Sequence, residues 1–190
     1  MAYQMELFEV PLVLPPGLRY QRQWISPSEE NELLGEICQL PFKDFEYHAY
    51  TGKRRTVSFG WSYDFVHEKL EKAEEIPGFL LPLRESAAAF ARLSSKELEQ
   101  VLVTEYSPQA GIGWHRDKGA FEQVIGVSLL APCQFRLRRK NGGKWERATI
   151  NVEPRSIYLL SGPARTQWEH SIPPVDELRY SITFRSLRSS

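Results

Sequence analysis

The chain has 190 residues with 24 basic and 24 acidic side chains and a pI near 6.9, a length that suits one domain with a core of its own. Balanced charge excludes a protein drawn as a whole onto nucleic acid or an acidic membrane, so any contact with a polyanion has to be local. Two cysteines are too few for a disulfide framework, "MAYQMELFEVPLVLPP" lacks the basic-then-apolar order of a secretory leader, and no apolar run is long enough for a membrane span, so a soluble, monomeric, cytoplasmic chain is expected.

In chain order, helical signals come first. In "SPSEENELLGEICQL", Ser26 has the chemistry of an N-cap, Pro27 fits the first helical position and Glu29 completes a capping box, while Leu33, Leu34, Ile37 and Leu40 form an apolar stripe. A second helix is expected within residues 81–93, where an alanine-rich run favours helix over strand. From Gln100 onward the texture changes. "VLVTEY", "QVIGVSLL", "CQFRLRR", "RATINV", "SIYLLSG" and "RYSITFR" are short runs rich in β-branched and aromatic residues, and "NGG" at 141–143 is a hairpin signal. Such density of short strands argues for a closed or double-sheet β architecture with helices packed against it. The division expected is helices and a lid over 1–99 and a β core over 100–190, within one domain.

The chemistry gathers around "GWHRDKGAF", residues 113–121, where His115 and Asp117 stand two apart and so share a face of an extended strand. Imidazole and carboxylate suit iron(II) when a second histidine completes the set. Of the four histidines, His48 and His67 precede the strand-rich region, which leaves His170 in "RTQWEHSIPP". A lone His-x-Asp also arises from surface polarity, so the last strand has to supply context. In "RYSITFR", period two places Arg179, Ser181, Thr183 and Arg185 on one face and Tyr180, Ile182 and Phe184 on the other. If the apolar side meets the helices, two guanidiniums enter a barrel, where unpaired charge costs several kcal/mol. They call for an anion, and a dicarboxylate fits the planar fork of arginine. The alternative is an edge strand with solvated arginines.

His115-x-Asp117, then His170, then Arg179-Tyr-Ser-Ile-Thr-Phe-Arg185 resembles the AlkB family of iron(II)- and 2-oxoglutarate-dependent dioxygenases, over roughly residues 100–187 and more weakly over "RRTVSFGWSYDF". The resemblance implies a mainly β fold, a double-stranded β-helix or jelly roll with N-terminal helices packed on it and a lid over its mouth. It implies that His115, Asp117 and His170 bind Fe(II), that Arg179 and Tyr106 hold the distal carboxylate of 2-oxoglutarate, that Arg185 lies near Asp117 and the keto-acid end, and that Thr104 lines the pocket. The implied reaction consumes dioxygen and 2-oxoglutarate, yields succinate and carbon dioxide, and removes a nitrogen-bound methyl as formaldehyde from an alkylated base of DNA or RNA.

Three positions depart from the family pattern. Thr104 and Ser181 stand where asparagines are usual, and Gly119 replaces an acidic residue found near the target base in several DNA-repair members. For the substrate, Lys53, Arg54 and Arg55 offer charge to phosphates, and Trp61 and Tyr63 offer rings to a flipped base; the alternative is a half-buried strand with a basic approach. Trp168 is either pocket wall or core, and Arg165 either approaches the site or does not. A second basic cluster, "RLRRKNGGKWER", reads as a solvated edge that discourages aggregation. Neutral charge and Gly119 also leave open the same chemistry on a protein or small molecule, and a non-catalytic or zinc-binding jelly-roll module is the third reading.

Overall fold

The structure is a computed structural model that describes residues 14–47 and 50–188. The opening stretch through residue 13 and His48 lie outside the described residues. Helix α1, Pro27–Ile37, starts at the expected capping box: Ser26 Oγ accepts from the Glu29 N–H at 3.2 Å and the Glu29 carboxylate accepts from the Ser26 N–H at 2.8 Å. Leu33 and Ile37 are buried, and Leu34 and Leu40 pack on the same cluster. Helix α2, Leu81–Ala91, buries Leu83, Ala87, Ala88, Phe90 and Ala91. Small alanines let that helix lie close to the sheet beneath it.

The first 99 residues also carry strands: β1 Leu18–Gln21, β2 Lys43–Tyr47, β3 Tyr50–Phe59, β4 Trp61–Asp64 and β5 Lys69–Lys72. The rest supplies β6 Leu98–Tyr106, β7 Ile112–His115, β8 Phe121–Leu129, β9 Cys133–Asn141, β10 Lys144–Val152, β11 Ser156–Leu160, the short helix α3 Gly162–Thr166, β12 Glu169–Ile172 and β13 Arg179–Leu187. All pairings are antiparallel. A seven-stranded sheet runs β1-β11-β8-β13-β6-β3-β2, a four-stranded sheet runs β10-β9-β12-β7, and β4 and β5 pair as a separate hairpin. Residue 99 is therefore no structural boundary, because β1, β2 and β3 belong to the large sheet. In β3 the basic residues masked a period-two pattern: Val57 and Phe59 pack on the helix-side core while Arg54 and Thr56 line the opposite face.

Two cores follow from that alternation. One lies between the large sheet and the helices and contains Val101, Val103, Tyr180, Ile182 and Phe184. The other lies between the two sheets and contains Tyr106, Phe135, Leu137, Tyr158 and Ile172. This is the expected double-sheet jelly roll with helices on one outer face. Gly126 shows how tightly the second core is packed. A Cβ there would collide with the ring of Tyr158 on the neighbouring strand, so the glycine is what lets that ring lie across β8.

Candidate active site

Between the sheets lies a pocket whose walls come from both. The rows across the large sheet explain its chemistry. Arg54, Tyr106 and Arg179 pair across β3, β6 and β13; the next row is Thr56, Thr104, Ser181 and Ser128. Pleating turns these side chains to the same face, so cationic and hydroxylated groups alternate with the apolar residues that meet the helices. From the small sheet, β7 and β12 set His115 and His170 directly opposite each other, with ring centroids 4.2 Å apart. His115, Asp117, His170, Thr104, Tyr106, Ser181, Thr183 and Arg185 all line this one pocket.

The electrostatics favour a cation-ready site. His115 Nδ1 faces the Gly113 carbonyl at 2.9 Å; donating that proton leaves Nε2 as the free lone pair. His170 stacks on Phe135 with centroids 5.1 Å apart. Burial first, and then the neighbouring His115, push the His170 pKa down to about 3, while burial lowers that of His115 against the pull of Asp117. Both rings are thus neutral at neutral pH. Burial alone would raise the Asp117 pKa, but Arg185 first, then His170, His115 and Arg165, hold it below the usual carboxylate range.

Asp117 is fixed from two sides. Arg185 donates from Nε to Asp117 Oδ1 at 3.1 Å, with Nη2 in ion-pair contact with the same oxygen at 3.0 Å, and donates from Nη1 to Gln100 Oε1 at 2.9 Å. Asp117 Oδ2 stands 3.7 Å from His170 Nε2. Behind the loop, buried Arg165 donates from Nη2 to the carbonyls of Lys118 and Phe121 at 2.5 and 2.7 Å. Among the described residues no three of these donors surround a single point; cross-strand pairing sets His115 beside His170. Two neutral imidazoles and one carboxylate on one wall remain a donor set whose chemistry fits iron(II).

Arg179 supplies the second fit. It is 1% exposed, donates from Nε to Ser128 Oγ at 3.2 Å, lies with its guanidinium 4.9 Å from the Tyr106 ring, and keeps Nη1 without a partner. An unmatched buried cation of this kind suits a carboxylate. Thr104 is buried in the hydroxyl row beside it.

The expected substrate residues separate. Arg55 points to the helix side, where Nε and Nη2 grip Glu105 at 2.8 and 2.9 Å; the strand's period turns it away from the pocket. Trp61 is also off the pocket lining. Its indole N–H reaches Glu99 at 3.4 Å and Lys72 sits 3.8 Å above its ring, because the separate β4–β5 hairpin carries it. Tyr63 packs on Phe65 at 5.2 Å, and Phe65 on the pocket-lining Phe45 at 5.6 Å, so it stands behind the wall. Trp168 is buried core packing with Arg139 over its ring.

Arg54 and Phe45 take the place at the lining. The Arg54 guanidinium lies 3.7 Å over the Phe45 ring, and burial, opposed by Tyr106, lowers its pKa. Alternation in "RRTVSF" could have singled out Arg54 over Arg55. Phe45 carried no such signal.

The model of the 2OG-Fe(II) oxygenase superfamily matches residues 17–185, and the chain belongs to that superfamily, whose cofactor pair is Fe(II) and 2-oxoglutarate. Its relatives narrow the class. The Alkylated DNA repair protein ALKBH8 homolog of Arabidopsis thaliana is 29% identical over 199 residues, covering 91% of this chain and 56% of that protein. The Probable RNA/DNA demethylase ALKBH6 of Danio rerio is 31% identical over 176 residues, covering 93% of this chain and 63% of that protein. The chain thus spans little more than half of those relatives. The solved structure of OsALKBH1 shares the fold, with a TM-score of 0.73 at 14% identity over 91% of this chain and 98% of that one. Within the superfamily the chain is an AlkB-type 2-oxoglutarate oxygenase.

Proposed function

We propose that this chain oxidatively demethylates alkylated bases in DNA or RNA, with His115, Asp117 and His170 holding Fe(II). The observation that carries the site assignment is the meeting of two neutral histidines and an anchored aspartate on a pocket that Tyr106 also lines, with Arg179, a buried arginine with an open donor, paired beside Tyr106 on the same sheet face. Arg179 and Tyr106 bind the distal carboxylate of 2-oxoglutarate, Thr104 lines its path, and Arg185 keeps Asp117 anionic and aimed. With 2-oxoglutarate and dioxygen, iron supplies the oxidising power, and the keto acid leaves as succinate and carbon dioxide. Phe135, Ile112, Ile172, Val124 and Leu160 make the walls apolar and keep bulk water from the reacting methyl.

At the lining, Phe45 offers a face to a base and Arg54 a charge to its oxygen atoms or to a phosphate. The nucleic-acid reading draws support from the names of the Arabidopsis and Danio relatives. The test is a panel of methylated oligonucleotides incubated with Fe(II), 2-oxoglutarate and dioxygen. Formaldehyde release in step with succinate is expected. Succinate formation that no oligonucleotide changes would move the substrate to a protein or small molecule.

A further inference from the structure

The outer surface of the four-stranded sheet has a composition that guarding an edge does not require. Along β9, Phe135 and Leu137 point into the core while Arg136, Arg138 and Lys140 point out; along β10, Trp145, Arg147 and Thr149 point out beside them. Register sets Lys140 beside Trp145, and Arg138 between Arg147 and Glu169. Trp114 on β7 joins this face, since the Arg138 guanidinium lies 4.3 Å from its ring and 4.5 Å from that of Trp145. Arg136 stands 5.2 Å from Trp114, and Lys140 5.5 Å from Trp145. Four outward cations thus meet one carboxylate, Glu169, which Arg138 holds at 2.7 Å, on a chain whose total charge is zero. Arg147, and Lys144 at the hairpin turn, have no ion-pair partner among the described residues.

Charge alone would keep a β edge from pairing with another chain. Tryptophans do not serve that purpose, and Trp145 is 37% exposed, which adds the apolar surface that edge protection normally removes. Cations at two-residue spacing, interleaved with indole rings, match what a single strand of nucleic acid presents: phosphates in a row, with bases free to stack. β7 is one of the two edge strands of this sheet and turns His115 inward from the residue next to Trp114, so face and pocket meet along one side of the barrel.

We infer that the outer face of β9, β10 and β7 is a docking track for single-stranded nucleic acid, which the enzyme grips away from the reacting base. The inference rests on the proposed nucleic-acid substrate. The test is fluorescence anisotropy of labelled oligouridylate and oligothymidylate across a salt series, with the full chain, the variant Trp145→Ala and the triple variant Arg136→Gln/Lys140→Gln/Arg147→Gln. Trp145→Ala should weaken binding at least about five-fold. The triple variant should lower the slope of log affinity against log salt by about 2. Succinate formation without oligonucleotide should match wild type in both, and unfolding midpoints should fall only by the loss of these surface cation–π contacts.

Equal binding by all three proteins overturns the inference. So does full competition by inorganic polyphosphate with no effect of Trp145→Ala, which marks a charge patch indifferent to bases. Methylated nucleosides turned over normally, with oligonucleotide binding untouched by these variants, remove the track and keep the substrate. Track-dependent binding with no formaldehyde from any methylated oligonucleotide keeps the track and removes the demethylation.

Discussion

The two faces of the large sheet hold arginine in opposite ways. On the helix side, Arg55 meets Glu105 through two hydrogen bonds, and Glu105 accepts a third from Tyr180 at 2.9 Å. On the pocket side, Arg54 and Arg179 flank Tyr106 in one row, and neither has a carboxylate partner among the described residues. Where packing alone needs a cation, the chain supplies the counter-ion; where the pocket needs one, the anion is left to come from outside. Arg185 lies between these cases, because its partner Asp117 is itself a proposed metal ligand.

The largest expected effect comes from Asp117→Ala. It removes a donor from the iron set and leaves Arg185 with Gln100 alone, so Co(II) or Fe(II) binding should fall below detection by calorimetry and succinate formation should cease. Retained stoichiometric metal binding would overturn the donor set.

Arg179→Met breaks the comparison more selectively. Two charge-assisted bonds to a carboxylate are lost, so the 2-oxoglutarate requirement should rise at least about a hundred-fold while metal binding persists. The ligand-free protein should unfold no more easily than wild type, because an unmatched buried charge has been removed. Unchanged 2-oxoglutarate affinity would return Arg179 to a structural role.

On the helix side the signs reverse. Arg55→Ala strands a carboxylate that is 8% exposed, and, discounted for the half-exposed arginine, should cost about 1–2 kcal/mol in urea unfolding without altering 2-oxoglutarate affinity. Altered co-substrate affinity would show that the faces are not independent.

Acid should reveal the buried histidines of the metal-free protein. His170 and His115 have folded pKa values below their ordinary ones, so below about pH 6.5 the unfolded chain takes up protons that the native state refuses. Stability then falls with falling pH by up to about 1.4 kcal/mol per unit for each histidine. Asp117, depressed by its cations, adds loss in the same direction below the ordinary carboxylate range. Urea midpoints between pH 7 and 4.5 check this slope, and His170→Asn should flatten it.

What was legible in the sequence divides along the same line. Period two in "RYSITFR" sorted β13 into a pocket face and a helix face, because a strand buried on both sides still alternates its chemistry. The capping box of α1 was legible because its partners are three residues apart. The membership of β1 and β3 in the large sheet was not, since it depends on partners more than forty residues away. Arg165 acts through carbonyls 44 and 47 positions distant, and no residue type signals a carbonyl. Trp61 and Tyr63 satisfied a composition rule for base stacking, but composition carried no information about which sheet their hairpin would join.

The smallest expected effect is therefore at Trp61. Its ring is engaged by Lys72 and its N–H by Glu99, and the β4–β5 hairpin is separate from both barrel sheets. Trp61→Ala should remove a cation–π contact worth about 0.5–1 kcal/mol of local stability and leave the KM for a methylated oligonucleotide within about two-fold. Arg54→Gln, on the pocket lining, should raise that KM further with little change in unfolding. If Trp61→Ala raised KM as much as Arg54→Gln, the hairpin would have to swing onto the mouth when substrate arrives, and the division between ligand-directed and self-compensated faces would have to extend to a moving element.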